Sequence, residues 1–179
     1  MSFKFLLIVM SFVIITTNCK QSDPIEKKYK LVWQDEFNGT TIDESKWECQ
    51  LGDGSAYGIP GWGNNEEQYY RKENVSVSGG FLKIKSIKED FSGYEYTSGR
   101  IRSLNKGDFK YGKIEASIKM SNAGGLWHAF WMLPSNPTKT WPVSGEIDIM
   151  EFVGNRANEI FNTIHFADNF GNHRQIGET

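Results

Sequence analysis

The stretch 144–154, SGEIDIMEFVG, constrains this chain more than any other. It sets Glu146, Asp148 and Glu151 into a run that is otherwise apolar: Ile147, Ile149, Met150, Phe152 and Val153. Glu-Ile-Asp-Ile alternates with period two, which predicts a strand with one polar and one apolar face. Strict alternation would place residue 150 beside the first two acids, yet that residue is Met and the third acid follows one place later. A β-bulge that takes up Met150 returns Glu151 to the face of Glu146 and Asp148. The three carboxylates then line roughly 13 Å of strand, at about 3.3 Å per residue.

Carboxylates held side by side repel each other, so a merely solvated face would favour Lys, Thr or Ser there. The array suits glycoside hydrolysis, whose retaining form needs two carboxyls about 5–5.5 Å apart. A concave sheet with converging side chains closes the gap, and a middle acid holds charge that keeps its neighbour protonated. An acidic patch on an edge strand is the plainer reading. Spacing alone leaves both open.

Several other blocks accompany this one: LVWQDEFNG at 31–39, WGNNEEQYY at 62–70, SGRIRS at 98–103, YGKIEASIKM at 111–120, LWHAFWMLP at 126–134 and TIHF at 163–166. In this order, with GEIDIMEFVG, they resemble glycoside hydrolase family 16 in its laminarinase-like form, from about Leu31 onwards. The resemblance implies Glu146 as nucleophile, Asp148 as assisting acid and Glu151 as acid/base. It also implies substrate contacts from Asn64, Arg100, Trp127, Trp131, Trp141 and His165. No cofactor is required; a structural calcium is an option, held partly by the backbone carbonyl of Gly80. Its usual acidic partner would fall beyond residue 179. The implied activity is endo-hydrolysis of β-1,3-glucan. The alternatives are mixed-linkage glucan, an algal galactan, or a non-catalytic glucan-binding module, although such modules have generally lost the acids kept here.

The rest of the sequence fits an all-β domain. Aromatics make up 14% of the chain and Gly is frequent, between short alternating segments. Most aromatics of a sandwich fill its core, so no single Trp is assigned to sugar on composition. Leu31–Trp33 reads as a strand, Trp47 begins another, and Gly52–Asn65 is a long loop whose Tyr57, Trp62 and Asn64 either meet sugar or pack the loop itself. Segments 74–77 and 81–86 flank Gly79-Gly80 as a hairpin. Arg100 and Arg102 share a face, toward the cleft or toward solvent. Tyr111–Met120 has the cleanest alternation, and 126–133 reads as a buried central strand. His128, His165 and His173 lack zinc spacing. Residues 168–179 look like loop. The fold expected is a β-sandwich of jelly-roll type, concanavalin A-like and incomplete at its C-terminus, because family domains carry further strands after TIHF.

At the other end, Lys4 and the apolar run Phe5–Ile15 read as a secretory signal, too short to span as a mature helix. Cys19 resembles a bacterial lipoprotein lipidation site, though Thr16 stands where Leu is usual; an ordinary secretory signal is the alternative. The domain plan is signal 1–19, linker 20–30 and hydrolase domain 31–179. The expected location is outside the cytoplasm, membrane-anchored by lipid at the cell surface or periplasm, or else secreted. Two cysteines, Cys19 and Cys49, make no disulfide framework. A net charge of −2 with dispersed signs points away from nucleic acid and from direct membrane binding. The expected partner is a polysaccharide.

Overall fold

A computed structural model describes residues 29–179. The signal, Cys19 and nearly all of the linker lie outside the described residues. The strands are β1 (Glu48–Gln50), β2 (Gln68–Tyr70), β3 (Val75–Ser78), β4 (Phe81–Ile84), β5 (Ile87–Phe91), β6 (Tyr94–Ser98), β7 (Arg100–Arg102), β8 (Trp127–Met132), β9 (Glu146–Val153), β10 (Phe161–Ala167) and β11 (His173–Glu178). Helical structure among the described residues is confined to single turns, such as Ser55–Tyr57 and Pro60–Gly63. The fold is an all-β sandwich of the jelly-roll type.

The sheet that matters for function is antiparallel, in the order β11-β10-β9-β8. Beside it run β1-β7, β2-β6-β5 and the hairpin β3-β4. That hairpin turns through Gly79 and Gly80, at φ 63° and 76°. Positive φ at both central residues is what a tight type I′ turn demands, and two glycines meet it without strain. Behind the hairpin, Asn74 and Thr97 are fully buried and satisfy each other: Asn74 Nδ2 donates to Thr97 Oγ1 at 3.0 Å and to Lys85 O at 2.9 Å. Among the described residues, Trp62, Val77 and Phe152 are the buried apolar side chains.

Four expectations need correction. Leu31–Trp33 forms no strand; Leu31 and Val32 stay exposed, with no ladder partner among the described residues. Tyr111–Met120 is not strand either, despite its alternation. A strand needs a hydrogen-bonded neighbour as well as a pattern, and no ladder reaches this segment. Its Ile114, Ala116, Ile118 and Met120 instead line an open, mostly apolar groove of ≈ 380 Å³ with Phe130, Met150 and Ile160. The segment 126–133 gives β8, the edge of its sheet rather than the centre, with Trp127 half-exposed.

The supposed loop 168–179 contains β11. Asp168 accepts the backbone N–H of both Phe170 and Asn172 at 2.9 Å, and Gly171 sits at φ 85°, so the chain reverses and pairs back on β10. As an exposed edge strand, β11 carries His, Arg, Gln and Glu, which conceals it from a hydrophobic reading.

Candidate active site

Strand β9 carries the carboxylates, and its pairing fixes where they point. Phe130 lies opposite Met150 but Trp131 lies opposite Asp148, so Ile149 is left over on β9. On the other side Thr163 faces Asp148 and Phe161 faces Glu151, with Asn162 alone between them. This is the expected bulge, formed by Ile149 and Met150 together. Asn162 Nδ2 donates to Ile149 O at 2.5 Å, capping the carbonyl that the bulge takes out of the ladder. Residues paired across antiparallel strands share a face. Glu146 with His165, Asp148 with Thr163 and Trp131, and Glu151 with Ala129 therefore stand on one side of the sheet.

Each acid has an aromatic donor beside it. Trp141 Nε1 donates to Glu146 Oε2 at 2.6 Å; the turn from Thr140 to Gly145, closed by Ser144 N–H to Thr140 O, brings the indole back over the strand. Trp127 Nε1 donates to Glu151 Oε1 at 3.0 Å. Asp148 is buried, and its Oδ2 lies 2.9 Å from His165 Nε2. Nδ1 of His165 is in turn 2.9 Å from Nε2 of His173.

All three carboxyls are held above their usual range. Burial is the main cause for each. The Asp148 charge pushes Glu146 and Glu151 further up, while the Trp141 and Trp127 hydrogen bonds pull the same two down. For Asp148 the His165 imidazole works against burial. Charges packed on one face thus resist simultaneous ionisation, and the site favours keeping a proton.

The remaining candidates divide. Trp127 and Trp131 do share the face of the acids. Arg100 reaches that face, its guanidinium 4.5 Å from the Trp62 ring and 4.8 Å from the Trp131 ring, while Nε donates to Gln50 Oε1 at 2.8 Å. Arg102 is taken by Glu48. Trp62 is buried, with Tyr57 tilted against it and Tyr70 of β2 edge-on to it, so it packs rather than presents a surface. Asn64 is exposed at the end of the Pro60–Gly63 turn, and no hydrogen bond among the described residues joins it to the acids. Cys49 is free and burial raises its thiol, the opposite of an activated nucleophile. Gly80 stands near Asn38 Oδ1, but among the described residues no three His, Cys, Asp or Glu side chains converge on a metal position. Calcium wants six to eight oxygens.

Sequence reasoning missed Gln50, Asn162 and His173. The first two bond through amides that carry no pattern. For His173 a signal existed: the turn residues Asp168, Gly171 and Asn172 fold it back toward His165.

A β-sandwich presenting such a row of acids belongs with the carbohydrate-active β-sandwiches. The chain is a member of glycoside hydrolase family 16: residues 30–178 match the family profile described as Beta-porphyranase A-D, GH16 domain. It is 43% identical over 150 residues to the Clotting factor G alpha subunit of Tachypleus tridentatus, covering 83% of this chain and 21% of that one. It is 39% identical over 162 residues to the Beta-glucanase of Rhodothermus marinus, covering 86% and 54%. The catalytic domain of an endo-1,3-beta-glucanase (laminarinase) from Thermotoga petrophila superposes with a TM-score of 0.77 at 39% identity, covering 84% of this chain and 62% of that one. The chain spans less than two thirds of the length of each.

Proposed function

We propose that this domain hydrolyses internal linkages of a β-1,3-glucan with retention of configuration. In the first step Glu146 attacks the anomeric carbon as its bond to the leaving sugar breaks, and protonated Glu151 gives its proton to the leaving oxygen. Glu151, now a carboxylate, then takes a proton from water as the water oxygen displaces Glu146. The observation that carries this reading is the bulge, which sets Glu146, Asp148 and Glu151 on one face with an aromatic donor on each outer acid. Burial and the Asp148 charge suit Glu151 to begin protonated. The Trp141 hydrogen bond favours the charged form of Glu146. Asn64, Arg100, Trp127, Trp131, Trp141 and His165 contact the sugar chain.

β-1,3-Glucan is the preferred substrate because the similar proteins include a laminarinase and a beta-glucanase. The profile's description supports a second reading, an algal galactan cleaved by the same chemistry. The test is reducing-sugar release from laminarin, mixed-linkage glucan and porphyran by the full chain, beside Glu146→Gln and with thermal melts of both. Release from laminarin that Glu146→Gln abolishes supports the reading, and the anomer formed first reports retention. Release from porphyran alone moves the substrate to galactan. Binding without release by a cooperatively melting chain refutes catalysis. Export through the N-terminal signal with lipid on Cys19 completes the proposal; fatty-acid labelling that survives Cys19→Ser would refute the anchor.

A further inference from the structure

His173 opens β11 and lies against His165. In the β10–β11 register Ala167 faces His173 and His165 faces Gln175, so the two histidines are diagonal neighbours on the face of the acids. His173 meets two residues at once. Its Nε2 is 2.9 Å from His165 Nδ1, and its ring lies 4.7 Å from the Trp141 ring and 5.1 Å from the His165 ring. Those two partners are the ones that reach the acids: Trp141 donates to Glu146, and His165 lies against Asp148. His173 itself is exposed, while the Asp148 side chain is 4% exposed.

The proton positions are linked along this row of contacts. When Asp148 is ionised it only accepts, and His165 bonds to it only in the tautomer that carries hydrogen on Nε2. A neutral His165 then has a bare Nδ1, and the group facing it, His173 Nε2, must donate. An imidazole whose second nitrogen lacks a partner has only the Asp148 contact to set its tautomer, and a donor at Nδ1 adds a second constraint. Among the described residues, Gln175 lies directly across from His165 yet the His165 Nδ1 contact is made by His173, and Arg174 turns to Asp168 at 3.0 Å.

We infer that His173 is a positioning residue for hydrolysis: its Nε2–H locks His165 into the tautomer that donates to Asp148, while its ring backs the indole that donates to Glu146. The kinetic part rests on the proposed glycosidase activity; the tautomer part does not.

The test is ¹⁵N NMR of the imidazoles in the full chain at neutral pH, followed by kinetics on laminarin. The wild type is expected to show His165 protonated at Nε2 and bare at Nδ1, with His173 protonated at Nε2. His173→Phe keeps a ring against Trp141 and is expected to give His165 as a tautomer mixture. It should lower kcat by about tenfold, the scale of one lost hydrogen bond in the transition state, with KM within about twofold. His173→Gln, which restores an N–H, should recover most of the rate. His165 bare at Nε2 in the wild type overturns the inference, and that readout needs neither activity nor a folded variant. An unchanged tautomer in His173→Phe overturns it as well. The expected tautomers in a chain that releases no sugar would uphold the positioning and fault the glycosidase reading instead.

Discussion

Replacing Trp141 with Phe isolates one hydrogen bond at the proposed nucleophile. The 2.6 Å contact from Nε1 to Glu146 Oε2 disappears, while an aromatic ring remains against His173. A hydrogen bond to a charged group contributes about 1.5–3 kcal/mol. Trp141 is 48% exposed, so water partly replaces the indole and the lower end, about 1.5 kcal/mol, is the better figure. The bond favours the charged carboxylate, against burial and the Asp148 charge, which both favour the neutral form. Its loss therefore moves Glu146 upward. The nucleophile must be ionised to attack, so the acid limb of the kcat/KM profile, which reports the free protein, should shift to higher pH. Near the alkaline side of the optimum the variant should regain most of its rate. The assay is reducing-sugar release from laminarin across pH, with melts to confirm folding. An acid limb that stays in place, or moves down, would refute the assignment of Glu146 as an ionised nucleophile stabilised by this bond.

Two further substitutions test electrostatics and packing. Burial and the Asp148 charge raise Glu151 above its unfolded value, so stability is fully present below the ordinary carboxylate range and is lost as pH rises through the folded value. Glu151→Gln removes that loss, and should melt about 2–4 °C higher than wild type at neutral pH; the gap should close below about pH 4. Gly154 ends β9, its N–H donating to Leu126 O at 2.8 Å, and a Cβ there would sit 1.8 Å from Ala123 O. Backbone cannot step aside as a side chain can, so Gly154→Ala should cost about 3 kcal/mol in urea unfolding. A near-neutral result would mean that the 123–126 turn is free to move.

The motif and its bulge were legible in the residues because local rules govern them: alternation sets the face, and the extra Met forces one irregularity. The Gly79-Gly80 hairpin was legible for the same reason, since its turn geometry admits few residues. What failed depended on neighbours. Tyr111–Met120 alternates perfectly, yet alternation states only how side chains would point if a ladder existed. His173–Glu178 forms a ladder with no apolar pattern, because an edge strand exposed along its length has little to bury. Trp62 was open between meeting sugar and packing its loop, and Tyr57 and Tyr70 around it decide for packing. Gln50, whose carbonyl receives Arg100 from fifty positions away, could not be found from either residue's surroundings in the chain.

The bulge also changes what an insertion or deletion can do. In a regular strand, adding or removing one residue inverts the facing of everything downstream. Here parity is already broken once, between Asp148 and Glu151. Removing Ile149 would leave Glu-Ile-Asp-Met-Glu-Phe, an unbroken alternation in which all three acids still face the same way and Phe152 still turns inward. The loss would be about 3.3 Å of span and the local twist that a bulge adds. This strand is thus a point at which the chain can change length by one without scrambling its two faces. The distance between the outer acids, and the curvature of the floor beneath the sugar, can be altered in a single genetic step while every reacting group is kept.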